Sequence, residues 1–293
     1  MQKDIRRPWR ILTGRFAIVC VIIFILFLSP AVPCAFAGRM DKPLWEAGLV
    51  GIGGYVPHYP ASDENRPDGI LLPYLVYRGE IFRAGEKGIA RGRLFRSKRV
   101  EFDLSLDGSF ETESEENLAR RGMPDLDYLF ELGPRLQVTL TDRFLGGKID
   151  LELPFRGVIA TDFSSVSSEG IVFQPQIAWQ HGNLLGTGTK IKLSFGPIWA
   201  TEEFMDYFYE VEPRFATRER PAFDGRGGYL GSEFTISGIR KIDDYLSIIG
   251  DLKIDYYKGS SNEHSPLFRD DVTISVRIGL LWTPFRSKRM VRE

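Results

Sequence analysis

The chain has 293 residues, with 38 Lys and Arg against 39 Asp and Glu, three histidines and two cysteines. A near-neutral balance gives no basic patch of the kind nucleic acid needs. Both cysteines, Cys20 and Cys34, fall in the first 37 residues, so no disulfide and no thiolate metal site is expected beyond them.

Lys3, Arg6, Arg7, Arg10 and Arg15 form a basic head, residues 16–28 an unbroken apolar run, and Ala35-Phe36-Ala37 a small-x-small triplet after Pro30 and Pro33. That order predicts a secretory signal peptide cut after Ala37, with residues 1–37 removed and 38–293 forming the mature domain. A retained spanning helix needs about 20 apolar residues, and the two prolines stop this run short. A lipidated Cys34 is disfavoured by Pro33 directly before it. Cleavage removes five Lys/Arg and one Asp, which leaves a formal charge of −5. No later stretch is apolar and long enough for a transmembrane helix, so a membrane-spanning mature chain must be a closed barrel.

From there the signal is period 2. Alternation predicts strands over 44–54, 70–84, 89–96, 101–110, 128–141, 148–155, 170–181, 189–199, 207–217, 228–239, 246–256 and 271–282. Turn clusters such as Gly85-Glu86-Lys87-Gly88, Gly146-Gly147 and Gly225-Arg226-Gly227-Gly228 separate them. In 101–110, for example, Phe102, Leu104 and Leu106 oppose Glu101, Asp103, Ser105 and Asp107. A soluble sandwich uses strands of about 5–6 residues. Strands of ten or more with fully charged second faces fit an all-β fold, a transmembrane antiparallel β-barrel of about 12 strands. Trp45, Trp179, Trp199 and Trp282 fall near strand ends, as do Tyr128, Tyr207, Tyr209, Tyr256 and Tyr257, where interfacial aromatic girdles belong. Trp282 shares the lipid-facing parity of its strand and Phe285 does not, unless Thr283-Pro284 forms a bulge.

In that fold Asp103, Asp107, Asp150, Glu152, Lys190, Lys192, Asp251, Lys253, Asp255 and Arg277 line the lumen. Two arrangements are open: Asp103, Asp107, Asp150 and Glu152 line a cation-selective aqueous path, or these four acids pair with Lys190, Lys192, Lys253 and Arg277 across the lumen and close it. Leu151 should face lipid, and a hydrated lumen should tolerate arginine at Glu152.

No constellation supports chemistry. Ser260, Ser261, Asn262 and His264 are the residue types of a hydrolytic set, but they are bunched in one loop. Glu111-Thr112-Glu113-Ser114-Glu115-Glu116 lacks the spaced ligands and turn glycine of a calcium loop and is expected to be a solvated face. Gly51-Ile52-Gly53-Gly54 has no following helix and no Walker lysine, so it reads as a bendable strand rather than a phosphate cradle. No catalytic residue, metal or cofactor is expected.

Several segments resemble the MipA/OmpV family of outer-membrane proteins. They are Gly51-Ile52-Gly53-Gly54-Tyr55 running into His58-Tyr59-Pro60-Ala61-Ser62-Asp63-Glu64, then Leu72-Pro73-Tyr74 through Tyr77-Arg78-Gly79, then Gly122-Met123-Pro124-Asp125-Leu126-Asp127, and finally Ser265-Pro266-Leu267. His58 stands where the family usually has an acid, Ala61 where it has glycine, and the chain runs eight residues past Phe285. The resemblance implies a non-enzymatic protein of the Gram-negative outer membrane, in contact with its lipid and lipopolysaccharide. It also implies a scaffold role, in the MipA case toward a periplasmic lytic murein transglycosylase and a murein synthase. A narrow pore or adhesin, as attributed to OmpV-like relatives, is the alternative, and an outer-membrane lipid hydrolase a remote one.

Overall fold

The computed structural model describes residues 42–78, 83–84 and 92–291; the signal segment and the cut after Ala37 lie outside them. The alternating segments become β2 (Trp45–Pro57), β3 (Asn65–Arg78), β4 (Arg83–Ala84), β5 (Gly92–Arg96), β6 (Val100–Ser109), β7 (Tyr128–Phe144), β8 (Gly147–Thr161), β9 (Val166–Phe173), β10 (Gln176–Leu184), β11 (Thr189–Ala200), β12 (Gly228–Lys241), β13 (Leu246–Tyr256) and β14 (Val272–Arg286). Flanking them, β1 (Lys42–Pro43) pairs with β15 (Met290–Val291).

β9 and β10 are halves of one stave. β8 pairs with both, Phe155 opposite Phe173 and Glu152 opposite Gln176, and β11 likewise pairs with both. The break falls at Gln174-Pro175, where proline has no N–H to give a ladder. Counted so, the described residues supply twelve antiparallel staves, and the pairing of β14 with β2 completes a closed ring. Closure leaves no sheet edge, as a strand-built membrane protein requires.

The number matches the expectation, but one stave is not the one expected. Residues 207–217 are not a strand: the chain forms helix α1 (Glu202–Tyr209) and a 3-10 turn, Pro213–Phe215. Phe204, Met205, Phe208 and Tyr209 share one helical face and are buried, and Glu202 and Glu203 sit favourably in the first turn. The apparent alternation around Tyr207 and Tyr209 was the edge of a 3.6-residue period. The count holds because 70–84 divides into β3 and β4.

The wall is inverted relative to a soluble protein. Leu71 is 67% exposed and Phe195 57%, whereas Asp103 and Asp150 are 0% exposed. Apolar side chains outside and charges inside are what a lipid solvent selects. Exposed Trp45, Tyr77, Tyr245 and Trp282 ring one end, and Tyr55, Phe130, Trp199 and Tyr256 the other. Tyr209 and Tyr257 are not part of a girdle; both are buried beneath the loops. Tyr207 is on α1, its hydroxyl donating to the Asp127 carbonyl at 3.1 Å. In β14 the register shifts between Trp282 and Phe285, so both rings face outward. The C-terminal extension folds back: Ser287 N–H donates to Trp45 O and Leu44 N–H to Arg289 O, both at 2.8 Å.

The ends of the barrel differ. One has short connections, 145–146, 185–188 and 242–245, together with the paired β1 and β15. The other has the long connections, 58–64, 110–127, 201–227 and 257–271.

Candidate functional site: a capped, ion-paired lumen

The four long loops converge on one apolar core. Tyr59, Leu126, Phe204, Met205, Phe208, Tyr209, Tyr257 and Leu267 pack together against inward residues at the strand tops, among them Leu129, Val158, Val172 and Ile198. Hydrogen bonds stitch the loops to one another. Tyr59 Oη donates to Leu267 O (2.9 Å), Tyr209 Oη to Pro60 O (3.0 Å), Thr112 Oγ1 to His58 O (2.8 Å) and Ser265 Oγ to Tyr209 O (2.8 Å). Arg120 is buried at the centre, donating to Ser114 Oγ, Phe208 O and Pro124 O and lying 5.8 Å over the Tyr59 ring. Burial brings its pKa down to about 10, which still leaves it protonated at neutral pH. Burial, and secondarily Arg66, lowers the pKa of His58, whose imidazole is neutral there.

Three of the four family-like segments meet in this cap, through Tyr59 to Ser62, Pro124 to Leu126 and Ser265 to Leu267. The departure at residue 61 has a physical meaning: Ala61 has φ 62° and is completely buried. Glycine enters that left-handed region freely and alanine does not. Ala61→Gly should therefore raise stability by about 1 kcal/mol, read as a shift in the urea midpoint of the folded barrel.

Below the cap, one wall carries an ionic network. Asp103 receives Arg135 through both oxygens, at 2.9 and 3.1 Å. Glu152 receives Lys192 Nζ and Gln176 Nε2 at 2.8 Å each and Arg135 Nη1 at 3.5 Å. Asp150 receives Lys148 Nζ and Thr139 Oγ1 at 2.7 Å each. Arg156 bridges Glu131 (2.8 Å), Gln174 (2.8 Å) and Asp107 (3.8 Å). On the opposite side Asp251 pairs with Arg277 at 3.1 Å, and Lys253 reaches Glu233 at 3.3 Å and Asp255 at 3.7 Å.

All ten lumen charges named from the sequence lie on inward positions of the strands, but the pairing is not the one expected. Of the four acids, only Glu152 meets one of the four expected cations, Lys192. Asp103 pairs instead with Arg135 on the neighbouring strand, Asp107 with Arg156 two strands away and Asp150 with Lys148 on its own strand. Lys190 lies one position nearer the turns, opposite Ile239. Arg135 lies inside the expected strand 128–141, whose weaker alternation singles out no charged face, and Arg156 lies one residue beyond the expected strand 148–155. Carried through Pro134, the same parity places both inside. Asp107 stays 57% exposed although the wall surrounds it, so it faces water within the lumen.

The loop residues considered for chemistry have structural roles. Asn262 accepts from Arg226 N–H (2.8 Å) and donates to Arg226 O (2.9 Å), Ser260 Oγ accepts from Asn262 N–H, and His264 is exposed. In 111–116 Thr112 and Ser114 are buried while the glutamates are exposed. His181 is at the other end of the barrel, accepting from Asn183 N–H.

Fold and site together define a transmembrane β-barrel with a capped, charge-lined interior. The family model described as MltA-interacting protein MipA matches residues 50–284, and the chain belongs to that family. Among solved structures it is similar to the NanC porin in a rhombohedral crystal form, with 8% identity, TM-score 0.38, and 80% of this chain and 99% of that one covered. It is also similar to outer membrane phospholipase A from Escherichia coli, with 12% identity, TM-score 0.27, and coverage of 88% and 95%. No curated protein matches.

Proposed function

We propose that this protein is a non-conducting scaffold of the outer membrane that docks a periplasmic partner from the murein-processing machinery. The observation that carries the reading is the cap: four loops seal one end with a continuous apolar core, which suits a platform better than a channel. The first and last described strands, β1 and β15, lie with the short turns, the end that faces the periplasm in single-chain outer-membrane barrels, and a signal peptide cut after Ala37 would deliver the chain there. The exposed apolar wall then meets acyl chains and its rim lipopolysaccharide.

The turn end offers docking anchors. Leu145 and Leu185 have φ 49° and 51°, and each is nearly 80% exposed at a hairpin tip. A leucine held in the left-handed region costs about 1 kcal/mol, a cost at home in a binding feature. Leu145→Gly and Leu185→Gly should each stabilise the barrel by about that amount and weaken capture of a purified murein transglycosylase or synthase by the barrel in nanodiscs. Undiminished capture would remove the turns from the docking surface.

The second reading is a pore, favoured by the water-exposed Asp107 under the cap. Planar-bilayer recordings separate the two. Wild type should be silent, and a variant with residues 202–226 replaced by a Gly-Ser linker should conduct. A large, stable wild-type conductance would replace the scaffold with the pore.

A further inference from the structure

The lumen is not polar all round. The turn-side halves of β12, β13, β14, β2 and β3 direct aliphatic side chains inward. Register sets Ile239 beside Ile249, Ile249 beside Gly279, Gly279 beside Ile52 and Ile52 beside Ile70. One level nearer the turns, Leu281, Val50 and Leu72 are neighbours. Parity fixes the direction, because these residues alternate with the outward Leu71, Ile278 and Leu280. A barrel interior of this kind is ordinarily polar, so a contiguous, half-buried aliphatic wall there is a surface suited to an apolar chain.

A cavity of about 160 Å³ lies on this wall, bounded by Ile52, Ile249, Gly279 and Ser237, with Asp251 and Arg277 at its upper rim. That is room for about five waters. Gly279 opens it, since a Cβ there would come within 2.9 Å of Ile52 Cγ1 and 3.1 Å of Ile249 Cγ1. Arg277 is 39% exposed, and both of its hydrogen bonds to Asp251 leave from Nε. Its two Nη groups are the donor capacity of the site, because the other acids nearby have cations already: Asp107 and Glu131 with Arg156, Glu233 and Asp255 with Lys253.

We propose that this wall binds a single-chain anionic amphiphile. Its apolar chain lies over Ile52 and Ile249, and its carboxylate or phosphate takes paired hydrogen bonds from the Arg277 Nη groups. The cap closes the loop end, so the molecule enters from the turn end. A free fatty acid and a single-chain phospholipid carry the same chemistry, and the site is independent of any docked protein.

The test uses the mature barrel in phosphatidylcholine nanodiscs, photo-labelled with a ten-carbon diazirine carboxylate and mapped by peptide mass spectrometry. Adducts are expected at Ile52 and Ile249, one parity away from the outward Leu71 and Leu280 that bulk lipid labels. Decanoate or decyl phosphate should displace the lumen label, the stronger competitor naming the head group, and inorganic phosphate should not. Arg277→Gln should lower lumen labelling about tenfold while the outward label stays constant. Ile249→Asn, which keeps the Asp251–Arg277 pair, should lower it as well and guards against a folding defect in the first variant. Adducts confined to outward residues, displacement by inorganic phosphate, or full lumen labelling of folded Arg277→Gln would each overturn the proposal.

Discussion

Replacing Glu152 with arginine should destabilise the barrel by about 3–5 kcal/mol, the cost of breaking a buried ion pair and leaving its partners uncompensated. Glu152 is 1% exposed and accepts from Lys192, Gln176 and Arg135 through Oε2 and from Gln180 through Oε1. Arginine there would set a third cation against Lys192 and Arg135 and strip the Gln176 amide of its acceptor, while Gln180 keeps Asp150 at 3.1 Å. A hydrated lumen, as the alternation alone suggests, would have absorbed the change; the observed network does not. The urea midpoint of the barrel refolded in lipid vesicles should fall accordingly, and the heat-modifiable gel band should weaken. Adding Lys192→Glu should recover part of the loss, since it restores the 152–192 pair with its charges reversed and leaves Asp103 with Arg135. An unchanged midpoint for the single variant would mean that the network does not form in the membrane.

One residue away, Leu151→Arg should impair insertion for a different reason. Leu151 faces outward between Ile149, which pairs at the level of Trp179, and Phe155, which pairs with Phe173. It therefore sits within the lipid band bounded by the aromatic belts, where a cation costs about 2–4 kcal/mol. Leu151→Ala provides the control for lost side-chain volume. The arginine variant should insert into thin-bilayer vesicles better than into thick ones, because a thinner bilayer lets its long side chain reach the interface. Glu152→Arg should show no such dependence on thickness. Equal behaviour of Leu151→Arg and Leu151→Ala in every bilayer would show that this face does not meet lipid.

The two substitutions test the two solvents of one strand, and the contrast bears on function. The scaffold reading rests on ion pairs and an apolar cap lying across an opening that a general pore would keep clear, with Asp107 still facing water beneath it. The inward aliphatic wall of β12, β13, β14, β2 and β3 is then the part of the lumen left for a ligand.

What the sequence by itself determined was the class of fold and the facing of most staves. A period of two over ten or more residues, with charges on one face and aromatic residues at the ends, has only a closed barrel as a solution in lipid. The inward positions of Asp103, Asp150, Glu152 and Arg277 followed from parity alone, because a strand offers only two faces. Which inward charges meet was decided by the tertiary structure. Register sets Asp103 opposite Arg135 and Asp251 opposite Arg277, and no single strand carries that register. The cap was likewise illegible as a unit. Tyr59, Leu126, Phe208 and Leu267 lie on four loops up to 208 residues apart in the chain, and their common core exists only once ring closure brings the loops over one opening. Residues 207–217 show the same limit at short range. Tyr207 and Tyr209 fit a strand by spacing, and only the burial of Phe204, Met205 and Phe208 under the cap makes that segment a helix.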